Sequence, residues 1–238
     1  DVEVFPVLRT IFENILGECP YKSPTDMGVN MAGLCITDDQ VCREASYREI
    51  LRRYYTALTD RLRGKADDEL VYKLELLMKQ ANITSDIFPA VAAALQREKD
   101  TGAPAGALEL PDGQIVTGRT SDLLGASAAL LLNALKRLGG IDQSLDLIST
   151  QVLEPICQLK THSLGHKNPR LHSDEVLIAL CVSALTNPIA AQEQLHNLRG
   201  CDAHFTVVLS DVDEKLYRRL GMNVSYEAKY ERQRLYFK

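Results

Sequence analysis

Three of the five histidines, His162, His166 and His172, fall within one stretch, Lys160-Thr-His-Ser-Leu-Gly-His-Lys-Asn-Pro-Arg-Leu-His-Ser-Asp-Glu175. The same stretch carries Lys160, Lys167 and Arg170 just ahead of an apolar helical run. Cations and backbone N–H groups gathered at a helix start suit a phosphate or a carboxylate, because an Arg fork can grip two anion oxygens at once. In that reading Lys167, Asn168 and Arg170 hold the anion and His172 moves protons. A second stretch, Tyr21-Lys-Ser-Pro-Thr-Asp-Met-Gly-Val-Asn30, offers Ser23, Thr25 and Asn30 as ligand contacts and Asp26 as another acid–base candidate. A third, Gly118-Arg-Thr-Ser-Asp122, supplies Arg119, Ser121 and Asp122. The first and the third have a plain structural alternative: a solvated loop with Ser173 as helix cap, and an N-cap.

Other chemistries lack their residues. The stretch at Tyr21, with its one glycine, has no Gly-Lys-Ser/Thr ending, so it is no P-loop. A zinc deaminase needs His or Cys with a nearby Glu on one buried helix and Pro-Cys-x-x-Cys on the next. Here the first helix offers Gly125-Ala-Ser-Ala128, and the second offers Pro155-Ile-Cys157 without a second thiol. His-Glu-x-x-His is absent too. No metal and no cofactor is therefore expected. The six cysteines form no Cys-x-x-Cys pair, and Cys157 and Cys181 sit in apolar helical patterns, so they read as reduced, packed residues of a cytoplasmic protein. A net charge of −5 argues against nucleic acid. No apolar run approaches the roughly 20 residues of a membrane span.

These residues must be positioned by α/β architecture. Residues 1–102 read as a helical region. Leu8, Ile11, Phe12 and Ile15 share a stripe, and Gly17 is the stop. A loop covers Tyr21–Gly33, and a long helix capped by Thr37 or Asp38 bears Tyr47, Tyr54 and Tyr55. Its arginines, Arg43, Arg48, Arg52, Arg53, Arg61 and Arg63, interleave with carboxylates as on a solvated face. Two further helices follow, around Asp67–Ala81 and Pro89–Lys99. Beyond Thr101-Gly-Ala-Pro-Ala-Gly106 the period changes, and residues 103–238 read as a second domain. Pro111-Asp-Gly113 marks a hairpin. Asp122–Leu138 is an almost wholly apolar helix that must be covered on several sides, and Val176–Leu185, capped by Ser173, is a second, broken by Asn187-Pro188. Strands are predicted at Leu145–Ile148, Phe205–Leu209 and from Val224, with a helix after Ser210. The order predicts a three-layer α/β/α sandwich with cytidine-deaminase-like topology, zinc-free.

YKSPTDMGVN at Tyr21–Asn30, ELPDGQIVTGRTSDLLGASAALLLNAL at Glu109–Leu135 and LGHKNPRLHSDEVLIAL at Leu164–Leu180 resemble a bacterial family of proteins of unknown function, domain-of-unknown-function family 1846, in its C-terminal half. The resemblance runs along essentially the whole chain. It implies a further N-terminal domain outside this sequence and supplies no catalytic residues. A label of ATP-dependent peptidase attaches to some members, but neither a P-loop nor a zinc-protease motif is present to support it. Two functions from different classes follow: an enzyme or binding protein for a small phosphorylated or carboxylated metabolite, or a non-catalytic assembly or regulatory module. A homo-oligomer using the long helix is expected from its tyrosines. The starts of the two apolar helices are expected to converge, bringing Arg119 to the Lys160–Glu175 loop.

Overall fold

The computed structural model describes residues 2–183 and 186–231. It divides into two compact units, Asp1–Phe88 and Pro89–Lys238. The break thus precedes the helix at Pro89, which belongs with the sheet rather than with the helical region, because its alanines pack directly on the first strand.

The first unit is helical. α1 (Phe5–Leu16) starts at a proline-containing turn and stops at Gly17, whose φ of 84° suits glycine. The stretch expected as a loop contains α2 (Pro24–Met31): Ser23 accepts the Asp26 N–H and Pro24 presets the first turn. α3 (Asp39–Leu62) is capped by Asp38, and α4 (Asp68–Ala81) by Asp67. Ile50 of α3 packs with Leu77 of α4, and Ala57 with Val71 and Leu74. The tyrosines of α3 belong to this packing. Tyr55 is buried, while Tyr47 and Tyr54 are half-buried against the two clusters.

The second unit opens with α5 (Pro89–Thr101) and the hairpin β1 (Ala105–Glu109) and β2 (Ile115–Arg119). β3 (Asp202–Phe205) pairs antiparallel with β1, and β4 (Asn223–Tyr226) parallel with β3, giving the order β2-β1-β3-β4. Ala107 and Ile115 meet α5 on one face. Leu108 and Val116 meet the larger core on the other, so the sheet is a middle layer. α6 (Ala126–Leu138) rests on that second face, with nine buried residues. Gly118 allows this: a Cβ there would lie 2.3 Å from Leu130 N. α7 (Thr150–Gln158) runs into a π-helical turn, Leu159–Ser163. Then come α8 (Ser173–Val182), α9 (Thr186–Glu193) and α10 (Asp211–Arg219).

Several expectations are corrected. Leu145–Ile148 forms no strand: Lys136 Nζ donates to the carbonyls of Gln143 (2.8 Å) and Leu145 (3.0 Å), folding the segment into turns, while Leu147 and Ile148 still reach the core. The strand expected at Phe205–Leu209 lies earlier, at Asp202–Phe205. α8 is covered on one side only, by α6, α9 and α10, leaving Ile178, Cys181 and Val182 exposed. Its expected last residues, 184 and 185, lie outside the described residues. Pro188 sits in the first turn of α9 rather than breaking a helix.

Candidate functional site

α6 and α8 do start side by side. Leu124 and Leu171 form a parallel bridge, Leu171 N donates to Leu123 O (2.8 Å), and Gly125 N donates to Leu171 O (3.2 Å). Ser121 accepts the Leu124 N–H and steadies the loop before α6. The cap of α8 is His172; Ser173 is its first helical residue.

What occupies this helix start is a carboxylate of the chain itself. Asp213, on the first turn of α10, accepts four hydrogen bonds: from Ser173 N (2.8 Å), Ser173 Oγ (2.7 Å), His172 Nδ1 (2.8 Å) and Ser210 Oγ (2.7 Å). Glu175 accepts from His172 N and from the buried Lys160 Nζ, both at 2.7 Å, and Lys160 also donates to Arg170 O (2.7 Å). Arg170, buried, pairs with Glu231 at 2.7 Å. Both buried cations at this helix start, Lys160 and Arg170, are paired with a carboxylate. The cradle expected for a ligand is therefore filled from within: two carboxylates already satisfy the positive end of α8 and would repel a third. Asn168 accepts the Arg170 N–H, while Lys167 and Asp122 are exposed. Arg119, also exposed, donates to Thr120 O (3.2 Å) and has no bond to this network among the described residues.

The network leaves one imidazole nitrogen, His172 Nε2, without a hydrogen bond among the described residues. Burial pushes the Asp213 carboxyl toward its neutral form, but hydrogen bonds from His172, Ser210 and Ser173 outweigh it and hold the group well below the usual carboxylate range. Its hydrogen bond in turn raises the His172 imidazole above its ordinary value, partly offset by burial. With Nδ1 engaged by an ionised carboxylate, Nε2 is the atom that can exchange a proton, and the side chain is 26% exposed.

In the helical unit the expected contacts of Tyr21–Asn30 are consumed in folding. Ser23 caps α2; Asp26, 3% exposed, accepts Lys22 N (2.6 Å) and the Asn30 amide; Thr25 N donates to Ser46 Oγ (2.9 Å); Asn30 also donates to Ile36 O (2.9 Å). A carboxylate so enclosed is a capping group. The same turn, however, places Tyr21 and Lys22 on a cleft of about 630 Å³ that Arg9, Arg43 and Tyr47, and the carboxylates Glu13 and Glu18, also line. Arg9 pairs with Glu13 at 2.8 Å. Among the described residues Lys22 Nζ and the Arg43 guanidinium have no carboxylate partner. Two unpaired cations beside two phenol rings can hold an anionic group and stack against a flat one.

The sequence reading missed Asp213, which looks like a cap of its own helix, since nothing local shows that it reaches α8. It also left Arg43 on a solvated face. Tyr47, one turn further along α3, was the available cue. Among the described residues, no group of three or more His, Cys, Asp or Glu is placed to hold a metal, and no helix is long and apolar enough to cross a membrane.

The family model described as "Domain of unknown function DUF1846, C-terminal" matches residues 86–236, and its N-terminal counterpart matches residues 1–82. A UPF0371 protein of Corynebacterium efficiens is 55% identical over 240 residues, covering 100% of this chain and 48% of that protein. UPF0371 proteins of Corynebacterium diphtheriae (52%) and Streptococcus thermophilus (49%) match over 100% of this chain and 48% and 49% of their own length. The chain thus spans about half the length of the curated relatives it matches, and its helical region falls to the N-terminal model. The two family models between them match both units, and the chain belongs to the DUF1846 family, whose members here carry the UPF0371 name.

Proposed function

We propose that this cytoplasmic protein recognises a small phosphorylated or carboxylated metabolite in the cleft of its helical unit. The observation that carries the reading is the pair Lys22 and Arg43, both lining the cleft and both without a carboxylate partner among the described residues. Calorimetric titration with inorganic phosphate, pyrophosphate, citrate and sugar phosphates tests it. The double variant Lys22→Ala, Arg43→Ala should lose roughly tenfold or more in affinity, as expected when charged hydrogen bonds worth about 1.5–3 kcal/mol are removed. Arg119→Ala should bind like the parent. Equal binding by the double variant, or no binding of any probe by the parent, overturns the reading.

For the sheet unit we propose an acid–base role for His172 through Nε2; the enclosed Asp26 carboxylate, engaged by Lys22 N and the Asn30 amide, is the weaker candidate for such a role. The hairpin, the buried α6 and the paired starts of α6 and α8 support a cytidine-deaminase-like topology; the turns at Leu145–Ile148 weigh against it. Those helix starts carry one imidazole and no thiol pair, which supports a zinc-free reading. Stoichiometric zinc surviving dialysis overturns it. A second reading, an assembly role, is favoured by one observation: α1 buries only Phe5.

A further inference from the structure

α1 presents its apolar stripe outward. Val7, Ile11 and Ile15, spaced one turn apart, are 61%, 44% and 73% exposed, with Val4 at 51% and Leu16 at 60%. Beside this ridge runs an apolar groove of about 560 Å³, lined by Val2 and Pro6 and by Leu74, Leu76 and Leu77 of α4. The sequence pattern of α1 is that of a helix with a core to face, and among the described residues its outer stripe meets none. A ridge and groove of this size is a contiguous apolar surface of the kind that marks a protein interface. The N-terminal family model covers this face, and the relatives carry about as much sequence again beyond the aligned half.

We infer that the α1–α4 face is the docking surface for the remaining half of the family polypeptide, which seats apolar side chains in the groove and covers the α1 ridge. The inference rests on the assembly reading and names its partner: an apolar, helix-sized surface supplied in cis, not a diffusing ligand. The rim fits this. Glu3 and Lys73 flank the groove but are engaged, Glu3 by Arg53 at 3.9 Å and Lys73 by Glu69 at 2.7 Å, so no unpaired charge has to be buried when the groove fills.

The test is thiol labelling of Ile11→Cys and, separately, Val7→Cys, both at exposed positions where the change does not disturb a core. Each is made in the 238-residue chain and in a polypeptide of the relatives' full length, and peptide-level mass spectrometry separates the new thiol from the exposed Cys35 and Cys181. The inference expects labelling at least roughly tenfold slower in the longer polypeptide, unchanged on dilution, and fast labelling in the 238-residue chain at every concentration. Protection that appears in the 238-residue chain as concentration rises shows that a second copy covers the face, which overturns the inference while sparing the assembly reading. Fast labelling in both polypeptides at all concentrations overturns both.

Discussion

Two clusters of basic residues in this chain meet opposite fates. Around the start of α8, Lys160, Arg170 and His172 are buried or half-buried and each is matched by a carboxylate: Glu175, Glu231 and Asp213. On the cleft of the helical unit, Lys22 and Arg43 stay solvent-accessible and unmatched among the described residues. The difference follows from solvation. A buried cation without a partner costs several kcal/mol, so folding recruits a counter-charge from elsewhere in the chain, whereas an accessible cation is stabilised by water and can await a ligand. A concentration of histidine, lysine and arginine in the sequence therefore marks charge; whether the charge is available depends on what the fold brings beside it.

The comparison breaks most sharply at Asp213. Asp213→Ala removes the acceptor of four hydrogen bonds and the counter-charge of His172, so unfolding free energy should fall by roughly 3–5 kcal/mol in urea denaturation. A parental midpoint for this variant would mean that the network is ornamental and the start of α8 remains open to a ligand. Lys160→Met should cost about 2 kcal/mol, because Glu175 loses a charge-assisted partner but keeps solvent access and the His172 N–H. Adding Glu175→Gln should restore part of that loss; strict additivity of the two changes would show that they do not interact.

The pH dependence is smaller and signed. His172 has a raised value in the folded protein, so its contribution is fully present below the ordinary imidazole value and lost as pH rises through the folded one. Asp213 has a lowered value, so its contribution is present above the ordinary carboxylate value and lost as pH falls through the folded one. The pair is thus strongest between these limits. The stability gap between the parent and His172→Gln, about 1 kcal/mol at mildly acidic pH, should narrow as pH rises into the alkaline range. A gap that widens has the wrong sign for this pairing. The smallest effect belongs to the other cluster: Lys22→Ala, Arg43→Ala should leave stability within about 0.5 kcal/mol of the parent, since nothing folded depends on either charge. A large loss would show that these cations have structural work and are no recognition site.

Most helices were legible in the sequence because their signals are local. Asp38 and Asp67 cap their helices, Gly17 stops α1, and Ser210 starts α10 with its hydroxyl on the Asp213 N–H. The hairpin followed from Pro111-Asp-Gly113, where Gly113 supplies a φ of 78°. α6 and α8 show where local reading ends. Both are strongly apolar, yet α6 is enclosed because Gly118 lets it settle on the sheet, while α8 packs against α6, α9 and α10 and leaves Ile178, Cys181 and Val182 exposed. The polar stretches failed as ligand contacts for the same reason. Ser23, Asp26 and Asn30 read as reactive groups, and the fold spends them on a cap and two turns.

The sequence by itself determined the ordinary globular composition, the helix caps and stops, the hairpin, the apolar helix on the sheet and the family, since each depends on residue type and short spacing. Only the tertiary structure decided which charges are compensated. Asp213 lies forty positions from Ser173 in the chain, and their contact is created by packing α10 against α8. Coulombic pairing acts over a few ångströms in space without regard to separation along the chain, so no local pattern encodes it.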